Sequence, residues 1–295
     1  MSRSQSDVPT RPSGLAIDLR DQVAVVTGGG AGIGRGIALS LAEAGAKVVI
    51  AEIDPQRGEE AAELIRKLGG QALVVQTDVM NTDQVAAAMD RAEQEFGRLD
   101  ILVNNAGGVR GAPFVEQSER SWRRHIDINL VSVLAATSAA VPIMQGGGGG
   151  SIINVSSIEG TRGAPMFAVY AACKAAMLSF TRTMALELAD DGIRVNAITP
   201  DQTITPGNHG QRTGPVDESR FLPRKPELQD ALDRYIPLGR EGVIGECGSA
   251  AAFLSSSLAS YITGVTLPVD GGTWAASGWS RGRGSTWNLG DFPIG

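Results

Sequence analysis

Val23–Thr27 reads VAVVT and runs straight into Thr27–Gly34, TGGGAGIG, which opens a helical pattern over Gly32–Ala44. A short, continuous apolar run rich in β-branched residues reads as a strand buried on both faces. The glycines that follow let the chain turn tightly and let its backbone amides approach an anion. The next helix begins there, and its unpaired N–H groups and dipole favour negative charge at that end. Strand, glycine turn and helix in this order open a unit suited to the pyrophosphate of a dinucleotide. On the glycine run alone, a turn without a ligand stays open as an alternative.

The alternation continues outward from this unit. Lys47–Glu52 (KVVIAE), Ala72–Gln76 (ALVVQ), Asp100–Asn104 (DILVN), Ser151–Ser156 (SIINVS), Ile193–Ile198 and Val265–Asp270 read as strands. Between them, helical patterns cover Pro55–Leu68, Asn81–Phe96, one long stretch Ser118–Met144, and Ala168–Ala189. Strands alternating with helices predict an α/β fold: a doubly wound, Rossmann-type parallel sheet with helices on both faces, forming a single domain. Ligands then sit at the C-terminal ends of the strands. The domain is expected over 19–272, after a disordered N-terminal tail (1–18) and before a C-terminal extension (273–295). The long Pro- and Gly-rich stretch 201–237 reads as a substrate loop or lid, with a disordered insertion as the alternative. Gly146–Gly150 reads as a flexible surface connection.

The 295 residues carry a net charge of −6. No basic stripe is present to neutralise phosphates, which argues against nucleic acid, and an acidic chain is a poor match for an anionic membrane surface. No apolar run is long enough, on this reading, to span a bilayer, and Met1–Ser13 lacks the apolar core of a signal peptide. Two cysteines, Cys173 and Cys247, build neither a disulfide framework nor a zinc cluster, and the two histidines, His125 and His209, add too little for a metal site. Both cysteines read as core residues of a cytoplasmic protein.

Within the glycine turn, Gly28, Gly32, Ile33 and Gly34 are the candidate pyrophosphate contacts. Glu52 ends the second strand, eighteen residues after Gly34, followed by Ile53. A carboxylate there can bind the ribose hydroxyls of NAD and repel the extra phosphate of NADP. Unit charges 4 Å apart interact by roughly 1–4 kcal/mol near a protein surface, enough to set a cofactor preference. Arg57 lies close enough in sequence to weaken that inference, and Glu52 could also be a solvated strand-end acid. Asp78, followed by Val79, could accept from an adenine amino group or merely cap the next helix.

Three further motifs lie in order behind TGGGAGIG: Asn104-Asn105-Ala106-Gly107 after the fourth strand, Asp127-Ile128-Asn129-Leu130 in the long helix, and Tyr170-Ala171-Ala172-Cys173-Lys174. In combination, over about residues 19–272, they strongly resemble the short-chain dehydrogenase/reductase family. The resemblance implies that Tyr170, Lys174, Ser157 and Asn129 form a catalytic tetrad. It implies that Asn105, Ala106 and Gly107 run along the cofactor, that Pro200, Thr203 and Thr205 hold the nicotinamide carboxamide, and that the protein is a homotetramer. Asn129 as part of a proton relay from Lys174 to solvent is likewise an implication of the family.

The chemistry of the other three residues can be argued directly. Tyr170 and Lys174 are four apart and share a helix face. An ammonium near a phenol favours the phenolate, which lowers its pKa and suits it to take a proton from an alcohol or return one. Ser157 lies just past a strand end, where its hydroxyl can hold the reacting oxygen. Taken singly, these residues could be a core aromatic, a solvated lysine, a turn cap and a buried amide. Glu159 and Arg162 read as loop charges.

The expected activity is hydride transfer between NAD and a secondary alcohol or ketone, with a hydrophobic alcohol such as a steroid or terpenoid favoured as substrate. Alternatives are an NADP-linked 3-oxoacyl reductase, a non-catalytic NAD-binding sensor, and an epimerase or dehydratase. Two features depart from the family. Asp201 follows Pro200 where the family usually has glycine; it lacks glycine's freedom at positive φ, although Asp tolerates that region better than most residues, which bears on the local loop path and not on the chemistry. The extension carries Trp274, Trp279 and Trp287, suited to an interface, a pocket wall or packing. In the expected lid, His209 is a candidate substrate contact, and apolar Ile204, Phe221 and Leu222 mix with Arg212, Arg220, Arg224 and Lys225. The apolar circumference of 129–144 and 168–184 points to coverage by a partner subunit.

Overall fold

The computed structural model describes residues 16–211, 213–217, 219, 221, 225–282 and 286–289. The expected tail up to residue 15, and Arg212, Arg220, Leu222 and Arg224 of the expected lid, lie outside the described residues.

Seven strands form one parallel sheet: β1 (Val23–Thr27), β2 (Lys47–Glu52), β3 (Ala72–Gln76), β4 (Ile101–Asn104), β5 (Gly150–Val155), β6 (Ile193–Pro200) and β7 (Thr266–Val269). Their spatial order is β3-β2-β1-β4-β5-β6-β7. Successive side chains alternate between the two faces, so each strand serves two cores. On one face Ala24, Val26, Val48 and Ile50 meet α1 (Gly32–Glu43), α2 (Pro55–Lys67) and α8 (Ile244–Ser255). On the other, Val23, Val25, Val49 and Ala51 meet α3 (Thr82–Phe96), α5 (Ser132–Gly146) and α6 (Ala168–Glu187). This is the doubly wound Rossmann-like single domain expected. The chain leaves β1 toward β2 on one side and β4 lies on the other, so a crevice opens between the C-terminal ends of β1 and β4. Ile17 packs on the first core and Leu19 is fully buried, so ordered structure begins within the segment expected as tail.

Several expectations need correction. The long helix is not continuous α-helix: α4 (Glu119–Ile126) passes into a π-helical turn, Asp127–Val131, before α5. The helical run Glu119–Gly146 also contains a stretch of mean hydropathy 1.7, long and apolar enough by composition to cross a membrane, contrary to the sequence reading. Ala136, Ala140 and Met144 of that run are buried against the sheet, which marks it as a core helix of this fold. Ahead of the extension, two α-helices were not anticipated: α7 (Pro226–Tyr235), inside the expected lid, and α8. The small residues of α8 (IGECGSAAAFLS) give little periodic contrast, yet they are what lets it lie against α1. A side chain on Gly36 would run into the carbonyl of Ile244, and one on Gly248 would meet the Gly36 carbonyl at 2.5 Å.

The extension forms a short helix, α9 (Thr273–Ala276), and a two-stranded antiparallel pair, β8 (Trp279–Arg281) with β9 (Trp287–Leu289). Arg281 stacks over Trp287 and donates to the carbonyl of Pro237, just beyond α7. Trp274, Trp279 and Trp287 each keep more than two fifths of their surface exposed. Cys173 and Cys247 are buried free thiols.

The α1–α8 contact leads to a stability prediction. Gly36→Ala should destabilise the fold by about 1–3 kcal/mol through overpacking, lowering Tm by several degrees in a thermal melt. An unchanged Tm would show that the two helices can separate without cost.

Candidate active site

The crevice is shaped by a set of hydrogen bonds between its two banks. The Thr27 hydroxyl donates to the Val103 carbonyl at 3.2 Å and accepts from the amides of Asn105 (3.0 Å) and Ala106 (3.1 Å). In return, the Asn105 side-chain amide donates to the carbonyls of Thr27 (2.9 Å) and Gly28 (3.1 Å). Gly28 (φ 62°) and Gly32 (φ 55°) hold the left-handed backbone that the turn requires. A Cβ on Gly34 would collide with the Gly28 carbonyl and the Asn105 amide. Ile33 packs its side chain onto the core. The N-terminus of α1 has no side-chain cap, so its first N–H groups have no side-chain acceptor. This backbone cradle, closed to a side chain at Gly34 and opening on an uncapped helix N-terminus, fits a pyrophosphate.

Glu52 is buried at the end of β2, where Oε2 accepts from Gly30 N (3.0 Å) and Oε1 from Asp54 N (3.2 Å). It is not a solvated strand-end acid. Arg57 is buried too, and it is engaged elsewhere: Nε donates to the Gly214 carbonyl (2.6 Å) and Nη2 to that of Gln211 (2.9 Å). Ile53 is exposed and Val79 is buried. The capping alternative for Asp78 is corrected. Asn81 caps α3, accepting from the amides of Asp83 (3.1 Å) and Gln84 (3.2 Å), while Asp78 Oδ1 takes the Met80 amide.

The other half of the site lies past the end of β5. The Ser157 hydroxyl accepts from Glu159 N at 3.2 Å, so it does cap the following turn, as the alternative had it. That turn also aims it at Tyr170, whose phenol it meets through a hydrogen bond. Lys174 is 3% exposed, and its Nζ donates to the Val155 carbonyl at 2.8 Å and lies 5.7 Å from the Tyr170 ring centre. Asn129 is fully buried within the π-helical turn. Its amide donates to the carbonyls of Gly108 (2.8 Å) and His125 (2.9 Å), and its Oδ1 accepts from Gly108 N (3.1 Å). A side chain on Gly107 would begin 2.8 Å from Asn129 Oδ1 and 3.6 Å from Lys174 Nζ. Asn129, Lys174 and the segment Asn105–Gly107 therefore meet at one place, with Tyr170 and Ser157 beside it.

The electrostatics differ from the sequence expectation. Burial holds the Tyr170 phenol above its usual pKa, and Glu159 pushes the same way; the Ser157 hydrogen bond opposes them. Lys174 does not depress it in this arrangement, because its ammonium is directed at the Val155 carbonyl. Burial instead lowers the pKa of Lys174 to about 8.

Pro200, the last residue of β6, and Thr203 just beyond it are buried, and the Thr203 hydroxyl donates to the Asp201 carbonyl at 2.9 Å. Thr205 leans over the glycine turn, 3.5 Å from where a Gly32 side chain would start. Among the described residues the non-glycine positions at positive φ are Asp21, Met166 and Ser277, so the loop passes through Asp201 without a glycine-like backbone. His209 stacks on Phe221, with ring centres 4.8 Å apart. Glu159 and Arg162 pair with each other at 2.8 Å. Sequence reasoning missed the Thr27 hydroxyl, which bonds three backbone groups, although a threonine ending the first strand was in view. It also missed the π-helical turn, for which no sequence signal exists.

Burial of Lys174 generates a pH prediction. With a folded pKa of about 8 against 10.5 unfolded, the unfolded chain binds more protons between those values, so the contribution of this group to stability rises with pH across that window. The full difference amounts to about 3 kcal/mol. Lys174→Met should therefore unfold at higher denaturant than the parent at pH 7, with an advantage that shrinks toward pH 10. An advantage independent of pH would mean that the ammonium is not disfavoured by burial.

A family model described as enoyl-(acyl carrier protein) reductase matches residues 28–273. The chain is 41% identical to cis-4-hydroxycyclohexanecarboxylate dehydrogenase of Sinomonas cyclohexanicum, over 85% of its own length and 96% of that relative's. It is 39% identical to 3beta-hydroxysteroid dehydrogenase 1 of Eggerthella lenta, over 90% and 99%. It is 38% identical to a 3-oxoacyl-(acyl-carrier-protein) reductase of Chlamydia muridarum, over 86% and 98%. Among solved structures it resembles a 7α-hydroxysteroid dehydrogenase complexed with NADH and 7-oxo glycochenodeoxycholic acid, with 33% identity and a TM-score of 0.78 over 87% of this chain and 95% of the other. The chain belongs to the short-chain dehydrogenase/reductase family, and is an oxidoreductase of the class that binds a nicotinamide cofactor.

Proposed function

We propose that the protein is an NAD-dependent dehydrogenase that interconverts a secondary alcohol and its ketone. The observation that carries this reading is the meeting of Ser157, Tyr170, Lys174 and Asn129 around the segment Asn105–Gly107, beside a backbone cradle for pyrophosphate. Bound there, NAD supplies the hydride acceptor for the carbinol carbon. Gly28, Gly32, Ile33 and Gly34 hold its pyrophosphate, and Glu52 with Ile53 its ribose. Asp78 and Val79 flank its adenine, Asn105–Gly107 run along it, and Pro200, Thr203 and Thr205 hold its carboxamide. Ser157 donates to the reacting oxygen. Tyr170 takes the hydroxyl proton in the oxidative direction and returns it in the reductive one. Turned from the Val155 carbonyl toward the phenol, Lys174 lends its positive charge to the phenolate and offsets the burial that disfavours it. Asn129 holds the backbone around Gly108 and His125 open for a proton relay from Lys174.

Preference for NAD rests on Glu52 and on the engagement of Arg57 Nε and Nη2 by two carbonyls, which turns that guanidinium toward residues 211–214. A hydrophobic alcohol, such as a steroid or terpenoid, fits the relatives that act on hydroxysteroids and on a hydroxycyclohexane acid. The 3-oxoacyl reductase relative favours a second reading, an NADP-linked reductase, against which Glu52 stands. Two buried thiols left unpaired suit a cytoplasmic location. Val131, Leu134 and Leu186, exposed on and beside α5 and α6, suit a homotetramer.

The test is NADH formation at 340 nm with NAD, and separately NADP, against a panel of hydroxysteroids, terpenols and hydroxycyclohexanecarboxylates. Turnover with NAD is expected. Tyr170→Phe should keep NAD binding and lose about 100- to 10,000-fold in kcat. Glu52→Ser should lower the NAD/NADP ratio of kcat/KM by about tenfold or more. Near-normal turnover of the Tyr170 variant, or a preference for NADP in the parent, contradicts the corresponding assignment. Light scattering should give about four times the 30.7 kDa chain mass, and a monomer would remove the tetramer.

A further inference from the structure

Asp201 stands just past the end of β6 with its side chain only 6% exposed, and side chains from two other segments meet it there. The hydroxyl of Tyr235, the last residue of α7, donates to Asp201 Oδ2 at 3.1 Å. The Arg162 guanidinium comes within 3.9 Å of the same oxygen and stacks over the Tyr235 ring at 5.8 Å. Arg162 is itself held by Glu159 at 2.8 Å, and the Glu159 amide donates to the Ser157 hydroxyl. One chain of contacts thus joins helix α7 to the turn that aims Ser157.

Helix α7 needs such a tether. Leu232 is its one buried residue, so little apolar burial holds it in place. Fastening falls to its C-terminal end: the Tyr235 hydroxyl, the buried Ile236, and the Arg281 bond to the Pro237 carbonyl from the extension. Asp201 is well suited to the task. Its carboxylate is removed from water and would be costly without partners, while a hydroxyl and a guanidinium supply them. A glycine at this position would offer neither of them an acceptor.

We propose that Asp201 is a positioning residue that latches helix α7 over the mouth of the substrate cleft, with Tyr235 and Arg162 as its catch. The inference deepens the dehydrogenase reading, since the cleft it closes is the one that reading assigns to substrate. In the latched state Ser157 and the lid are fixed relative to one another, so alcohol binding does not have to order the segment. Releasing the latch weakens substrate capture more than it slows the chemical step.

Hydrogen exchange of the full-length protein, read over Pro226–Tyr235, tests the latch without relying on activity. Asp201→Ala and Tyr235→Phe should each speed exchange of α7 by about tenfold, as expected for loss of one charge-assisted hydrogen bond. The double variant should be no faster than either single one, because the two groups act through the same bond. Asp201→Asn, which keeps an acceptor for Tyr235, should restore most of the protection. Tm and NAD binding should stay at parental values in all four. With cyclohexanol as probe alcohol, KM should rise about tenfold in the two single variants with kcat within about twofold. Unchanged α7 exchange in folded Asp201→Ala and Tyr235→Phe overturns the latch, and so do additive effects in the double variant. Faster α7 exchange in variants of a parent that oxidises no alcohol would support the latch and sink the dehydrogenase reading instead.

Discussion

The reciprocal bonding between Thr27 and Asn105 is the constraint on which the site depends. A threonine hydroxyl on β1 accepts two amides from the loop after β4, and an asparagine side chain on that loop returns to two carbonyls of the glycine turn. Neither loop could hold its path alone, since each exposes backbone groups that pair only with the other. Locked together, they turn the topological gap between β1 and β4 into a crevice of fixed width. The glycines follow from that lock: with the banks this close, a Cβ at Gly34 has nowhere to go.

The other bank is held by buried polar groups that the sheet alone could not place. Lys174 is drawn inward by the Val155 carbonyl, and Asn129 is held by both faces of the Gly108 peptide. The π-helical turn at Asp127–Val131 widens the helix where Asn129 must reach across to that loop, a use of such turns that recurs at functional sites. A second polar thread, Asn104 to Asn154 to Thr181, crosses the sheet just beneath and ties β4, β5 and α6 into one unit. Burying a lysine costs stability, and the fold carries that cost where proton chemistry is proposed.

Around this half, the described residues of 201–237 and of the C-terminal extension form a second layer with far less apolar burial. Arg57 reaches from α2 to carbonyls of the segment, Asp201 to its terminal helix, and Arg281 to its last proline. These attachments are polar contacts, which are cheaper to break and remake than a packed core. The three tryptophans of the extension serve the same layer in part, with Trp287 under Arg281.

The strands, their parallel order and the glycine turn were legible in the residues, because buried strands and glycine turns leave short-range patterns that no distant contact overrides. The pairing of Tyr170 with Lys174 was legible too, since four residues along a helix share a face. The state of those groups was not. Whether Lys174 faces Tyr170 or the Val155 carbonyl, whether Arg57 is free or engaged, and whether Asp201 needs a strained backbone all depend on partners dozens of residues away. The same holds for α8, whose glycines and alanines look featureless until α1 lies against them, and for the π-helical turn, which answers to a hydrogen-bonding demand from another loop. Local propensity and periodicity determine which elements form, whereas burial, charge pairing and close approach are properties of the assembled chain, and only the tertiary structure decides them.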